Sequence, residues 1–398
     1  MPKDDSLFTI YIINRSYNKI GYVLGILTGA GEQVMQIKIN YKIAPFFVFF
    51  VIHGQQFGAG VLGFSRIIAK EAGYDAWIGV ILAGVIVHCL LWVMYYMLSL
   101  VQGSILTVHT YIFGTIIGNI LNMVFMLYFF VVSVSVLRTY IEILQVWLYP
   151  TASTFILSLV FSFLIYYIIS SGFRVITGLC IISIFVAFIY MILCLYCLLQ
   201  YGHFDNFLPI WNHSLSDIYS AAKGSIYTMT GVEIILMIYP FIHSPQKSHK
   251  FAQYSVLFSN ILYILSAVSA LAIFSEEQLR YTIWSQLSMT QLIELPFLQR
   301  IDYLVISGYI FIMITSITLP LWAITRGMKE IFHVKQKYIL IGALILSIIS
   351  SILLNNRHVI NTFTQQVANF SQYLILIYIP LLCLILHIKV KVTQNKQS

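Results

Sequence analysis

The sequence predicts an all-α, polytopic membrane protein of ten spans, arranged as two five-span halves of inverted topology, with the first and sixth spans interrupted. Three observations carry this reading. The 398 residues are 60% apolar and only 9% charged, where a soluble domain carries about 25% charged residues, so there is too little polar surface to face water on all sides. The apolar residues gather into ten stretches of near-bilayer length. Two of those stretches, five apart in order, are broken at their centres by glycine and polar residues, the spacing expected of an inverted repeat.

The stretches run approximately over 44–65, 76–99, 117–140, 152–170, 175–199, 218–241, 252–274, 303–325, 337–354 and 369–388. Each is near the ~20 residues that a helix needs to cross hydrocarbon. They make one transmembrane domain over 41–390, with repeat one at 44–199 and repeat two at 218–388, followed by a tail at 391–398. Residues 1–40 read differently. GYVLGILTGAG (21–31) is apolar but too short to span, is flanked by Arg15, Lys19 and Glu32, and lacks the basic start and cleavage site of a signal peptide. Met35 opens MQIKINYKIAPFF, which reads as a native start. The first 34 residues are therefore expected to be an upstream extension or a loosely ordered cytoplasmic tail.

Basic residues orient the chain. With the N-terminus inside, Arg66, Lys70, Arg138, Lys223, Arg280, Arg300 and Arg357 fall in outside segments and the other 15 of the 22 lysines and arginines fall inside, most densely in SPQKSHK (244–250) and TRGMKEIFHVKQK (325–337). Both termini are thus expected in the cytoplasm. The net charge of +8 is a span-end bias and gives no sign of nucleic-acid binding. Cys89, Cys180, Cys194, Cys197 and Cys383 all lie in apolar stretches. Cys194 and Cys197 form a CxxC inside a span, with no histidine or second pair at metal spacing, and read as packing residues.

HGQQFGAGVLGFSR (53–66) puts Gly54, Gly58, Gly60 and Gly63 in the second half of the first stretch. Each lowers helix stability by about 1 kcal/mol relative to alanine. Close helix packing is one explanation, since small residues let neighbours approach. The other is an unwound segment around Phe57–Gly60 whose freed N–H groups point at an anionic group. The sixth stretch favours unwinding. Its centre, Tyr227-Thr228-Met229-Thr230-Gly231, is polar, ends in glycine, and is followed by Glu233, a carboxylate inside the membrane.

The run KIAPFFVFFVIHGQQFGAGVLGFSRIIAKEAGYDAWIGVILAG (42–84) resembles the opening of the spore germination permeases, with a glycine-rich break followed by Ala72-Gly73-Tyr74-Asp75-Ala76-Trp77. LRTYIEILQVWLYPTAS (137–153), NFLPIW (206–211), GVEIILMIYPFI (231–242) and LQRIDYLVISGYI (298–310) extend the resemblance in order over about residues 38–390. That family belongs to the amino acid–polyamine–organocation superfamily, with the LeuT-like five-plus-five repeat. The resemblance implies a B subunit of a nutrient germinant receptor in the spore's inner membrane. Such a subunit binds a small nutrient, often an amino acid, and acts with an A subunit and a lipoprotein C subunit to trigger germination.

Gly58, Ala59 and Gly60 are candidates to donate backbone N–H groups to a ligand carboxylate, and Thr228, Thr230 and Gly231 to offer carbonyls and hydroxyls to an ammonium group. Thr228 could equally bond back to its own helix. Glu233 reads as a structural tie to the first break or a switch, ahead of a direct ligand contact. The resemblance adds spans three and eight as flanks, with Tyr128, Val132, Ser133, Thr315, Ser316 and Thr318 near their centres. Isolated polar residues in a span more often bond between helices, and that holds for Asn119 and Asn122 and for His53 and His88. No catalytic or phosphate-binding motif is present, so no catalytic residue, cofactor or metal is expected. Besides the sensing subunit, two other functions fit the sequence: a secondary amino acid transporter using the same pocket, and a scaffold subunit that binds no nutrient.

Overall fold

The computed structural model describes residues 37–294 and 300–395. The expected extension before Met35 and the last three residues of the tail lie outside them. The helices are α1 Val48–Gln56, α2 Phe64–Ala72, α3 Ala76–Val101, α4 Ile105–Trp147, α5 Thr154–Ser170, α6 Phe173–Tyr201, α7 Leu215–Thr228, α8 Val232–Phe241 (mostly 3-10), α9 Pro245–Ile273, α10 Glu276–Tyr281, α11 Ser285–Thr290, α12 Ile301–Gly308, α13 Ile310–Phe332, α14 Gln336–Leu353, α15 Arg357–Tyr373 and α16 Ile379–Asn395. Among the described residues the one β contact is a parallel bridge between Ile43 and Ile242, which ties the chain before α1 to the end of α8.

All ten expected stretches fall on helix, but not as ten equal spans. Among the described residues, seven helical runs are long and apolar enough to cross a membrane, and eight if α7 and α8, bent by 45° at their break, count as one. One of the seven, Phe64–Val101, joins α2 to α3 through a sharp turn at Gly73, where φ is +47°. With 17 residues, α5 falls short. The third stretch is longer than expected, since α4 begins at Ile105 and bends at Gly114 (φ +77°). Across that bend His109 Nδ1 and Asn122 Oδ1 lie 2.7 Å apart, and Tyr378 OH meets the other ring nitrogen at 2.8 Å.

The broken helices form the centre of the molecule. α1 packs against α6 and α9, α2 and α3 pack against α7, and α4 packs against α13. Without a strong hydrophobic drive between helices in lipid, such contacts depend on close approach of small residues. Gly79 shows this: a Cβ there would lie 2.8 Å from Ala222 N and 2.9 Å from Ala221 Cβ. α7 is set from above as well. Ser214 and Asp217 close a capping box at its start. Just before it, the Asp75 carboxylate accepts the backbone N–H groups of Trp211 (3.0 Å), Asn212 (2.7 Å) and His213 (3.1 Å), anchoring the approach to α7 on the start of α3.

Candidate functional site

The first break opens where Phe57 (φ −97°, ψ 94°) and Gly58 (φ −131°, ψ −149°) leave helical geometry. A single 3-10 turn, Ala59–Leu62, leads into α2. The last bond of α1 is Phe57 N–H to His53 O, and the 3-10 turn that follows closes with Gly63 N–H to Gly60 O. The N–H groups of Gly58, Ala59 and Gly60 are thereby released from the helix. The carbonyls of the last turn find new donors. Ser316 Oγ donates to Gly54 O at 3.0 Å, Thr315 Oγ1 lies 3.1 Å from the same oxygen and 2.7 Å from Ile312 O of its own helix, and Tyr263 OH lies 3.1 Å from Gln56 O.

The second break follows Thr228. Gly231 has φ +125°, and a Cβ there would lie 2.7 Å from Gln55 O, 2.8 Å from Gln55 C and 2.9 Å from Gln56 Cα. Only glycine combines that backbone angle with that approach. The two breaks therefore meet backbone to backbone. Tyr263 OH clamps them together, because it also lies 2.6 Å from Thr228 O. The remaining glycines of the first stretch divide by role. A Cβ on Gly54 would press on Cys180 of α6 at 3.1 Å, and one on Gly63 on Ile283 O at 2.6 Å, so both serve close packing. Those on Gly58 and Gly60 would meet side chains across the break, Ser316 Oγ at 3.1 Å and Thr228 at 3.2 Å.

Between the breaks lies a cavity of about 80 Å³, room for a handful of water molecules at ~10–15 Å³ each. Gly58, Ala59, Gly60, Val132, Thr228, Thr230, Gly231 and Glu233 line it. Tyr128, Thr315 and Thr318 do not. Tyr128 stands behind Glu233, Thr315 Oγ1 lies by Gly54 O and Ile312 O, and Thr318 Oγ1 bonds back to Thr315 O at 3.3 Å. Ser133 likewise bonds back, to Phe129 O at 2.9 Å, whereas Ser316 does reach the cavity wall. The hydroxyls of Thr228 and Thr230 donate to their own helix, to Ser225 O (2.9 Å) and Tyr227 O (2.7 Å), which leaves their oxygens as acceptors. Gln55, Gln56, Ser135, Tyr227 and Ser371 complete the polar wall. The sequence signal for the first two is a pair of amides beside the glycine run, in a span that has no other use for them.

Glu233 is buried and is the only carboxylate or basic group on the wall. Its tie differs from the expected one. One oxygen accepts Gly231 N–H (2.6 Å) and the other Tyr128 OH (2.6 Å), so it caps its own break and fastens it to α4 instead of gathering the N–H groups of the first break. The reason is local: a carboxylate two residues past the break meets the orphan donors at the start of its own helix first. Tyr128 OH also lies 3.0 Å from Ser371 Oγ on α15. His53 Nδ1 lies 2.8 Å from Ser259 Oγ and its ring stacks on Phe57. His88 pairs with Gln253. Asn122 bonds within α4, to His109 and Asn119, and not to a neighbouring helix. Cys194 and Cys197 are buried, and no cluster of three metal-ligating side chains occurs among the described residues.

Two broken helices that meet at their breaks, a small polar cavity between their open ends and a carboxylate beside it define a membrane protein with the fold of the inverted-repeat transporters. A solved Na+-coupled sialic acid symporter in a substrate-bound outward-open state has the same fold. It superposes with a TM-score of 0.64 over 92% of this chain and 84% of its own, at 13% identity. The family described as spore germination protein matches residues 42–360. Spore germination protein GerQB of Bacillus cereus is 37% identical over 356 residues, which cover 89% of this chain and 99% of that protein. Spore germination protein B2 of Bacillus subtilis (strain 168) is 20% identical over 303 residues, or 75% of this chain and 82% of its own. The chain belongs to the spore germination protein family.

Proposed function

We propose that this chain is the nutrient-sensing B subunit of a germinant receptor in the inner membrane of the spore. In this reading a small nutrient, an amino acid in the first instance, occupies the cavity between the two breaks, and an A subunit and a lipoprotein C subunit carry the signal onward. The observation that supports it most is the pairing of charges across one small space. Released N–H groups of Gly58, Ala59 and Gly60 suit a carboxylate, and the carbonyl end of α7 with Glu233 suits an ammonium group. Family membership supplies the germination context.

Gly60→Ala tests the pocket. The added methyl would meet Thr228 Cβ and Cγ2 at 3.2 Å, with no backbone atom nearer than 3.5 Å, so Thr228 must shift by a few tenths of an ångström. Subunit abundance in spores is expected to stay near normal while the nutrient concentration for half-maximal dipicolinate release rises several-fold. An unchanged dose response, or a loss fully accounted for by missing protein, leaves Gly60 as a packing residue only. A transporter with the same pocket differs in one measurable way: proteoliposomes holding the full chain would accumulate labelled amino acid, which the sensing subunit does not require.

Orientation follows from charge. On this reading both termini, the 244–250 segment at the start of α9 and the 325–337 segment around the α13–α14 turn lie in the cytoplasm, with 15 of the 22 basic residues. A single cysteine introduced at Lys247 should resist an impermeant thiol reagent added to the outer face and react once the membrane is opened. Reaction from outside on intact membranes reverses the orientation.

A further inference from the structure

Gln55 and Gln56 close α1 at the edge of the cavity, and both line it. They are 7% and 2% exposed, yet neither side-chain oxygen has a hydrogen-bond partner. Their backbones are fixed on every side. Gly231 abuts the Gln55 carbonyl, Tyr263 OH lies 3.1 Å from Gln56 O, and Ser316 Oγ donates to Gly54 O one residue earlier. The contrast is informative. Around this break a hydroxyl lies within hydrogen-bond reach of the carbonyls of Gly54, Gln56 and Thr228, while the side-chain oxygens of Gln55 and Gln56 have no such neighbour. Buried polar groups are nearly always partnered, and an apolar side chain of similar volume would fill the same place without an orphaned oxygen.

We propose that Gln55 and Gln56 are ligand-contacting residues that determine specificity, their amides held in reserve for the solute that enters the cavity. An amide presents an acceptor and a donor side by side, so the matching ligand is a small polar solute with neighbouring donor and acceptor groups, as the ammonium and carboxylate of an amino acid are. This rests on the nutrient-binding function proposed above and adds to it the residues that read the ligand.

The test uses the full chain in lipid nanodiscs, melted in the presence of each of the twenty amino acids and, as a second chemical class, a nucleoside. Ligand binding to the folded state stabilises it by RT ln(1 + [L]/Kd), so the rise in melting temperature with ligand concentration gives the half-saturating concentration. Gln55→Leu and Gln56→Leu remove the amides and nearly keep the volume. Without ligand they are expected to melt at or above the wild-type temperature, because an unsatisfied polar group has gone. With the probe that stabilises the wild type, the half-saturating concentration should rise tenfold or more in each. Lower melting with an unchanged half-saturating concentration would make the amides structural and overturn the proposal. If a leucine variant fails to fold, Gln55→Met and Gln56→Met, with a more adaptable side chain, are judged by the same two readings. A wild type that no probe stabilises refutes nutrient binding itself. A wild type and variants stabilised alike refute only the role of the amides.

Discussion

Gly231→Ala is expected to remove folded protein from the membrane. At φ +125° an L side chain is strained by about 1–3 kcal/mol before any contact is considered. The new Cβ would then overlap Gln55 O at 2.7 Å and Gln56 Cα at 2.9 Å, atoms of the facing backbone that cannot rotate away. The two breaks would have to part, and the clamp of Tyr263 OH on Gln56 O and Thr228 O would open with them. A loss above about 3 kcal/mol is a large share of the ~5–15 kcal/mol that holds a typical domain together. Membrane abundance and thermal melting of the full-length protein measure it, with Gly60→Ala as the milder comparison, whose nearest contacts are at 3.2 Å and whose nearest backbone atom is at 3.5 Å. Wild-type abundance and melting for Gly231→Ala would show that the breaks do not meet as described.

The second large effect belongs to Glu233. Glu233→Ala leaves Tyr128 OH and Gly231 N–H without the carboxylate at a site that is 2% exposed. Gly231 N–H becomes a buried orphan donor at about 1–3 kcal/mol, and Tyr128 OH is left with only Ser371 Oγ at 3.0 Å. Glu233→Gln keeps one oxygen for Tyr128 but turns an amide donor toward Gly231 N–H, so it should lie between wild type and alanine. The expected order of subunit abundance is wild type, then Gln, then a much lower Ala. Normal abundance in both variants with nutrient response lost in both would instead place the carboxylate in contact with the ligand or with a proton.

Much of this architecture is legible in the sequence because its causes are local. Ten apolar runs, a glycine cluster in the first and a Thr-Gly-x-Glu centre in the sixth follow from what hydrocarbon demands of a backbone, and the helices do break at Phe57–Gly58 and at Met229–Gly231. What the sequence leaves open depends on rotation about a helix axis and on distant partners. Composition does not separate Gly54 and Gly63, which pack on neighbours, from Gly58 and Gly60, which face across the break. Thr315 and Ser316 are adjacent, yet only Ser316 reaches the cavity wall, and Thr318, one turn further on, turns back to its own helix. The Tyr128–Glu233 bond joins residues 105 positions apart, and no local pattern predicts it. Span number was less legible still. The bend at Gly114 and the turn at Gly73 make helices whose lengths do not follow the apolar runs beneath them.

Hydrogen exchange of the full chain in nanodiscs, with and without the nutrient that stabilises it, tests most directly whether the two breaks form the nutrient site. The N–H groups of Gly58, Ala59 and Gly60 have left the helix, and those of Thr230 and Gly231 lie at the opposite wall. A bound ligand should slow exchange over residues 57–63 and 228–233 together, with α5 and α14, which contribute no residue to the cavity wall, unchanged. Protection confined to another region, such as the outer groove lined by Tyr201, His203 and Gln278, or no protection at either break at saturating nutrient, would contradict a site built from the broken helices.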